Sequence, residues 1–170
     1  MDVQGRFQLQ RPVAEIRNRG TGEVEETTTS DVPDLITTVG TIQTSPTVQE
    51  GAQIAFRFRR GPPFPGEPAL VWTINGEKGE IRLTGQAGTA IHAMHAENVR
   101  IEVYDHATGN VEPVDWSWAS WQKELPQVSA RNIGALYEAF ASGKGGGYPT
   151  FEDAFTRHRQ LDDIIASWKA

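Results

Sequence analysis

Ala52–Arg59 has the sequence AQIAFRFR, and its reading decides the fold. Ile54, Phe56 and Phe58 fall on one side of an extended chain, while Ala55, Arg57 and Arg59 fall on the other. That period of two predicts a strand with one buried face. The residues after it, Gly61-Pro62-Pro63-Phe64-Pro65-Gly66, cannot extend a sheet, because each proline lacks a ladder donor and holds φ fixed. They predict a stiff loop. Working outward, Ala69–Ile74 (ALVWTI) and Glu80–Leu83 (EIRL) flank Asn75–Gly79, which has the composition of a hairpin turn. Arg100–Tyr104 (RIEVY) and Val111–Trp118 (VEPVDWSW) flank Asp105–Asn110 and predict a second hairpin. Upstream, Leu35–Ile42 (LITTVGTI) is β-branched, with Gly40 as the place for a bulge. Val3–Arg11 alternates polar and apolar, with Phe7 and Leu9 on one face. Between these two, residues 17–31 (RNRGTGEVEETTTSD) are polar and predict a long mobile loop. About seven strands joined mainly by short turns predict a largely antiparallel sheet.

After Pro126 the period changes. Ile133, Leu136, Tyr137 and Phe140 are spaced i, i+3, i+4, i+7, which predicts an amphipathic helix over 129–142. The glycines from Gly143 to Gly147 end it. Thr150 precedes Asp153 by three, a capping-box spacing, and Phe151, Phe155, Leu161, Ile164, Ile165 and Trp168 form the stripe of a final helix. Strands first and helices last predict an α+β fold, an open antiparallel sheet with C-terminal helices packed on one face.

The chain has 170 residues, a length that fits a single domain over 1–170. It has no cysteine, which excludes a disulfide framework, a thiolate metal site and a cysteine nucleophile. Sixteen Lys and Arg against 22 Asp and Glu give a net charge of −6 and argue against a nucleic-acid footprint. The sequence has no apolar run of about 18 residues, and MDVQGRFQLQRP lacks the core of a signal peptide. These features predict a soluble, cytoplasmic protein without a membrane partner.

Four stretches taken together are RFRRGPPFPGEPALVWTINGEKGEIRLTG (57–85), VEPVDWSWASWQKELP (111–126), ARNIGALYEAFASGKGGGYPTFEDAF (130–155) and RHRQLDDIIAS (157–167). In order and spacing they resemble the C-terminal region of fungal Gfo/Idh/MocA oxidoreductases, in the branch that includes the galactose-regulon repressor. The resemblance runs from about residue 33 onward, and Val3–Arg11 resembles the first strand of the same region. It implies a sheet that lines a substrate site and commonly serves as a dimer interface. In that family a Rossmann domain precedes this region and carries the Lys-Pro catalytic motif. In this sequence no GxGxxG follows a strand, and no acidic ribose partner lies about 20 residues on. No nicotinamide cofactor and no hydride transfer are therefore expected, and no other cofactor is predicted.

Several residues carry candidate chemistry. Arg57 and Arg59, on one strand face about 7 Å apart, suit a carboxylate or other anion unless a neighbouring strand supplies balancing carboxylates. Trp72 would add aromatic surface beneath the Gly61–Gly66 loop, completing a substrate-binding site. His92 and His95, in His92-Ala93-Met94-His95-Ala96-Glu97, are the candidate proton-transfer groups, or else two solvated histidines between strands. As metal ligands they lack a third partner at a recognised spacing, so no metal site is assigned. Asp105-His106 fits turn geometry, and His158/Asp162 an i, i+4 surface pair. Trp116 and Trp118 fall on one face of the predicted strand, with Trp121 after it.

Two functions are compatible with these residues. The first is a cofactor-independent small-molecule enzyme, such as a cyclase or isomerase of fungal secondary metabolism, working by shape and one proton transfer. The alternative is a non-catalytic dimerisation or regulatory module, or a truncated oxidoreductase. A homodimer formed through the sheet is expected, since a large exposed apolar face is seldom tolerated by a monomer.

Overall fold

In the computed structural model, the described residues are 2–61, 63–86, 99–143, 147–166 and 168. They fall into two compact units, residues 1–61 with 150–170, and residues 62–149. The first unit holds strands β1 (Asp2–Gln8), β4 (Leu35–Thr41) and β5 (Gln53–Arg59), paired antiparallel in the order β1-β4-β5. A separate hairpin, β2 (Val13–Arg17) and β3 (Val24–Thr29), is inserted between β1 and β4. The unit is completed by helix α3 (Phe151–Ile165).

Alternation sets the two faces of the β1-β4-β5 sheet. Val3, Phe7, Ile36, Ile54, Phe56 and Phe58 share one face, and α3 lies on it. There Phe7 meets Trp168 with ring centroids 6.1 Å apart, and a side chain on Gly5 would strike Ile164 Cγ2 at 2.6 Å. Gly5 is glycine because the helix comes that close. The capping box holds the start of α3: Asp153 N donates to Thr150 Oγ1 at 3.2 Å, and Thr150 N donates to Asp153 Oδ2 at 2.9 Å.

In the second unit, β6 (Leu70–Asn75), β7 (Gly79–Gly85), β8 (Val99–Asp105) and β9 (Val111–Pro113) form a consecutive antiparallel meander. Both predicted hairpin connections are present. Gly76 N donates to Gly79 O, and Asp105 Oδ1 accepts from Ala107 N and Thr108 N, which makes Asp105 a turn residue. A short helix α1 (Ser120–Lys123) precedes α2 (Val128–Ala141). They pack where Gly134 lets the Trp121 ring approach, since an added Cβ would lie 3.0 Å from it.

Three expectations change. Residues 17–31 are not all loop, since Val24–Thr29 pairs with Val13–Arg17. The pairing rests on β-branched Thr27, Thr28 and Thr29 and on a turn in which Asn18 Oδ1 accepts from Gly20 N and Thr21 N. Gly40 is no bulge, because it pairs in unbroken register with Val3 on one side and Ile54 on the other. Trp116 and Trp118 lie outside a strand, because β9 ends at Pro113 and its last bond to β8 is Val114 N to Ile101 O. They still meet edge to face at 5.7 Å, and the Arg131 guanidinium sits 5.5 Å above Trp118.

Burial is sparse. Among the described residues only Asp34, Gly85 and Glu102 are buried, and no large side chain is fully enclosed. Trp72 is 54 % exposed on β6, on a face it shares with Ile74, Ile81, Leu83, Ile101 and Val103. Among the described residues no helix is long and apolar enough to cross a membrane.

Candidate functional site

Arg57 and Arg59 lie on the face of the β1-β4-β5 sheet opposite α3, as the alternation of β5 requires. The register adds a third cation there. Arg6 pairs with Thr37, and Thr37 pairs with Arg57, so the two arginines flank one threonine. Two strand spacings separate their backbones, about 9.6 Å. The pairing strand contributes Leu35, Thr37, Val39 and Thr41 to this face, none of them a carboxylate. Arg6 and Arg57 are exposed. Arg59 is half-buried and turns towards the chain that follows, with its Nη1 3.5 Å from Arg60 O. Towards the other end of the sheet is a shallow depression of about 350 Å³, lined mainly by Gln4, Val39, Thr41, Gln53, Ile54 and Ala55. Cations near a depression with amide, hydroxyl and aliphatic walls can orient a small anionic molecule.

Trp72 belongs to the second unit, on the apolar face of its sheet. His92 and His95 lie outside the described residues, as does Pro62 of the stiff loop. Among the described residues no group of three or more His, Asp or Glu is placed to hold a metal ion. His158 and Asp162 are exposed on α3. His106 meets Tyr104 edge to face at 5.3 Å.

Sequence reading missed the second unit's charge centre. Glu102, 8 % exposed, accepts from Arg82 Nη2 at 2.9 Å and lies 2.7 Å from Arg100 Nη2. The hydrogen bond from Arg82, reinforced by the charges of Arg100 and Arg82, holds its carboxyl below the usual range. Asp105 is likewise lowered by hydrogen bonds from Thr108, and Asp153 by those from Thr150. Arg6 was equally hidden. VQGRFQLQR places it opposite Phe7, but only the β1-β4-β5 order sets it beside Arg57.

No family model and no curated protein matches the chain. Solved structures do. The transcriptional regulator Gal80p from Kluyveromyces lactis superposes with a TM-score of 0.69 at 20 % identity, over 97 % of this chain and 39 % of its own. Two super-repressor mutants of Gal80p from Saccharomyces cerevisiae give TM-scores of 0.67 and 0.60, at 20 % and 16 % identity. Each is matched over 97 % of this chain, and 41 % and 42 % of their lengths are covered. The chain therefore spans about two fifths of the proteins it matches, and at these identities the likeness is one of fold. That fold, antiparallel sheets followed by C-terminal helices, is one shared with about two fifths of Gal80p.

Proposed function

We propose that the chain is a small-molecule-binding module whose ligand lies on the Arg6–Arg57–Arg59 face of the first sheet. One observation carries this reading: arginines stand on both strands flanking β4, and β4 offers that face no carboxylate. An anionic group would span Arg6 and Arg57, and the rest of the molecule would rest against the depression edged by Gln4, Val39 and Gln53. The corresponding reaction, if the module is catalytic, is one that needs positioning and at most one proton transfer, a cyclisation or isomerisation. The test is affinity or turnover against a library of carboxylate-bearing natural-product precursors. Arg57→Ala should weaken it at least about tenfold, equivalent to roughly 1.4 kcal/mol, with thermal stability nearly unchanged. Full binding by that variant would sink the reading.

A second reading is supported by a different observation, the exposed apolar face carrying Trp72, Ile74 and Ile81. It makes the chain a non-catalytic dimerisation or regulatory module, in keeping with the role of Gal80p as a transcriptional regulator. Light scattering should then give about twice 18.7 kDa, and Trp72→Glu should return the monomer. Monomer for the unaltered chain at high micromolar concentration would remove this reading and leave the first standing.

A further inference from the structure

A second basic cluster lies at the base of the β2–β3 hairpin, in the same unit as the sheet face. Arg11, Val13, Ala14, Glu15, Arg17 and Arg60 line an open cavity of about 310 Å³, at the lower end of the range of ligand sites. Arg17 is already engaged, with Nη2 2.5 Å from Glu15 Oε2 and Nη1 donating to Gly22 O at 2.9 Å. Arg11 and Arg60 have no ion-pair or side-chain hydrogen-bond partner among the described residues. The cavity therefore presents two unneutralised guanidinium groups above the aliphatic surface of Val13 and Ala14.

The backbone holds the roots of both arginines through Asp34. This residue is 2 % exposed. Its N donates to Gln8 O, its Oδ1 accepts from Gln10 N at 2.7 Å, and its carbonyl accepts from Arg60 N at 2.8 Å. One buried residue thus ties the two stretches, its side chain holding the chain that enters Arg11 and its backbone carbonyl the chain that carries Arg60. The close approach is completed at Gly61, with φ at 110°, where an added Cβ would lie 2.8 Å from Arg11 Nη1. The positive φ is what calls for glycine at this position. Both side chains are exposed, and the fold brings their backbones together where one anion can meet both guanidinium groups.

We propose that this cavity is a binding site for a dianion, a phosphate monoester or a dicarboxylate, held by Arg11 and Arg60. Arg17 serves as a wall fixed by Glu15, and Asp34 is a positioning residue. The site is distinct from the sheet face proposed above and does not depend on it. The test is titration calorimetry at pH 8 and fixed ionic strength with inorganic phosphate, then with phenyl phosphate and succinate to separate the two sources. Saturable binding at one site per chain is expected. Arg11→Ala and Arg60→Ala should each weaken it at least about tenfold while circular dichroism stays unchanged. Arg157→Ala on α3, which removes the same charge, should leave it intact. Absence of saturable heat from all three anions overturns the proposal, as does unchanged affinity in Arg60→Ala. Loss in Arg57→Ala with Arg60→Ala unaffected would assign the heat to the sheet face and likewise overturn it.

Discussion

On the second unit's sheet, Arg82 and Arg100 both turn onto Glu102, one strand over and two residues along respectively. On the first unit's sheet, Arg6 and Arg57 flank Thr37 and have no such carboxylate in register. Both sheets are antiparallel and both carry arginines on a polar face, so strand chemistry does not separate them. The difference is a single cross-strand partner. Where the partner is a glutamate the charges close on themselves and the face is structural. Where it is a threonine the guanidinium groups remain available, and the face has the makings of a binding surface. The apolar faces are alike in part: α3 meets the first sheet at β1 through Ile164 and Trp168, while Ile54 and Phe56 stay exposed there as Trp72, Ile74 and Ile81 do on the second.

The comparison breaks most readily at Gly79. A side chain there would collide with the backbone carbonyl of Tyr104, and backbone cannot swing aside as a side chain does. Gly79→Ala should cost about 3 kcal/mol, the upper end of overpacking penalties, and chemical denaturation should report it. A loss under about 1 kcal/mol would mean that the meander is not held as tightly as described.

Glu102→Gln comes next, because it leaves Arg82 and Arg100 facing each other across a neutral group. It should destabilise the fold more than any single arginine change on the first sheet. It also has a signature in pH. The folded-state pKa of Glu102 is depressed, so the unfolded chain binds the extra proton first as pH falls. Stability from Glu102 is present above the ordinary carboxylate range, near about pH 4.3, and is lost as pH drops through the lower folded value. Denaturation curves below that point should fall less steeply for Glu102→Gln than for the unaltered chain. Parallel slopes would show that the triad is not what responds to acid.

Thr150→Ala tests the helix that covers the first sheet. It removes the hydroxyl that accepts from Asp153 N and should cost about 1 kcal/mol. Phe7→Ala in the same background sharpens the point. If capping matters only through the docking of α3 on β1, the two losses will be less than additive. The smallest effect is expected for Arg57→Ala, within about 0.5 kcal/mol of the unaltered stability, because no carboxylate in its register relies on it. A larger loss would make Arg57 structural and erase the contrast between the sheets.

Local pattern carried much of the fold. Period two in AQIAFRFR, turn composition at Asn75–Gly79 and Asp105–Asn110, and i, i+3, i+4 spacing from Ile133 each depend on neighbours a few residues away. For that reason β5, both hairpins and α2 were legible, as was the cap at Thr150. The β2–β3 hairpin was not, because VEETTT is polar on both faces and gives no alternation to read. Arg57 and Arg59 stood out in sequence because one strand holds both. Arg6, Arg11, Asp34 and Glu102 did not, since each gains its meaning from a partner more than 15 residues away.

The chain by itself therefore determined which segments are extended, which are helical, and which side of each strand is apolar. Those choices follow from backbone geometry and side-chain period, which act over one or two turns of chain. Only tertiary structure decided that threonine rather than glutamate separates Arg6 from Arg57, and that Asp34 ties Arg11 to Arg60. Strand order and register are set by the pairing of distant segments. A shift of one residue in β1 or β5 would have sent Arg6 or Arg57 to the other face.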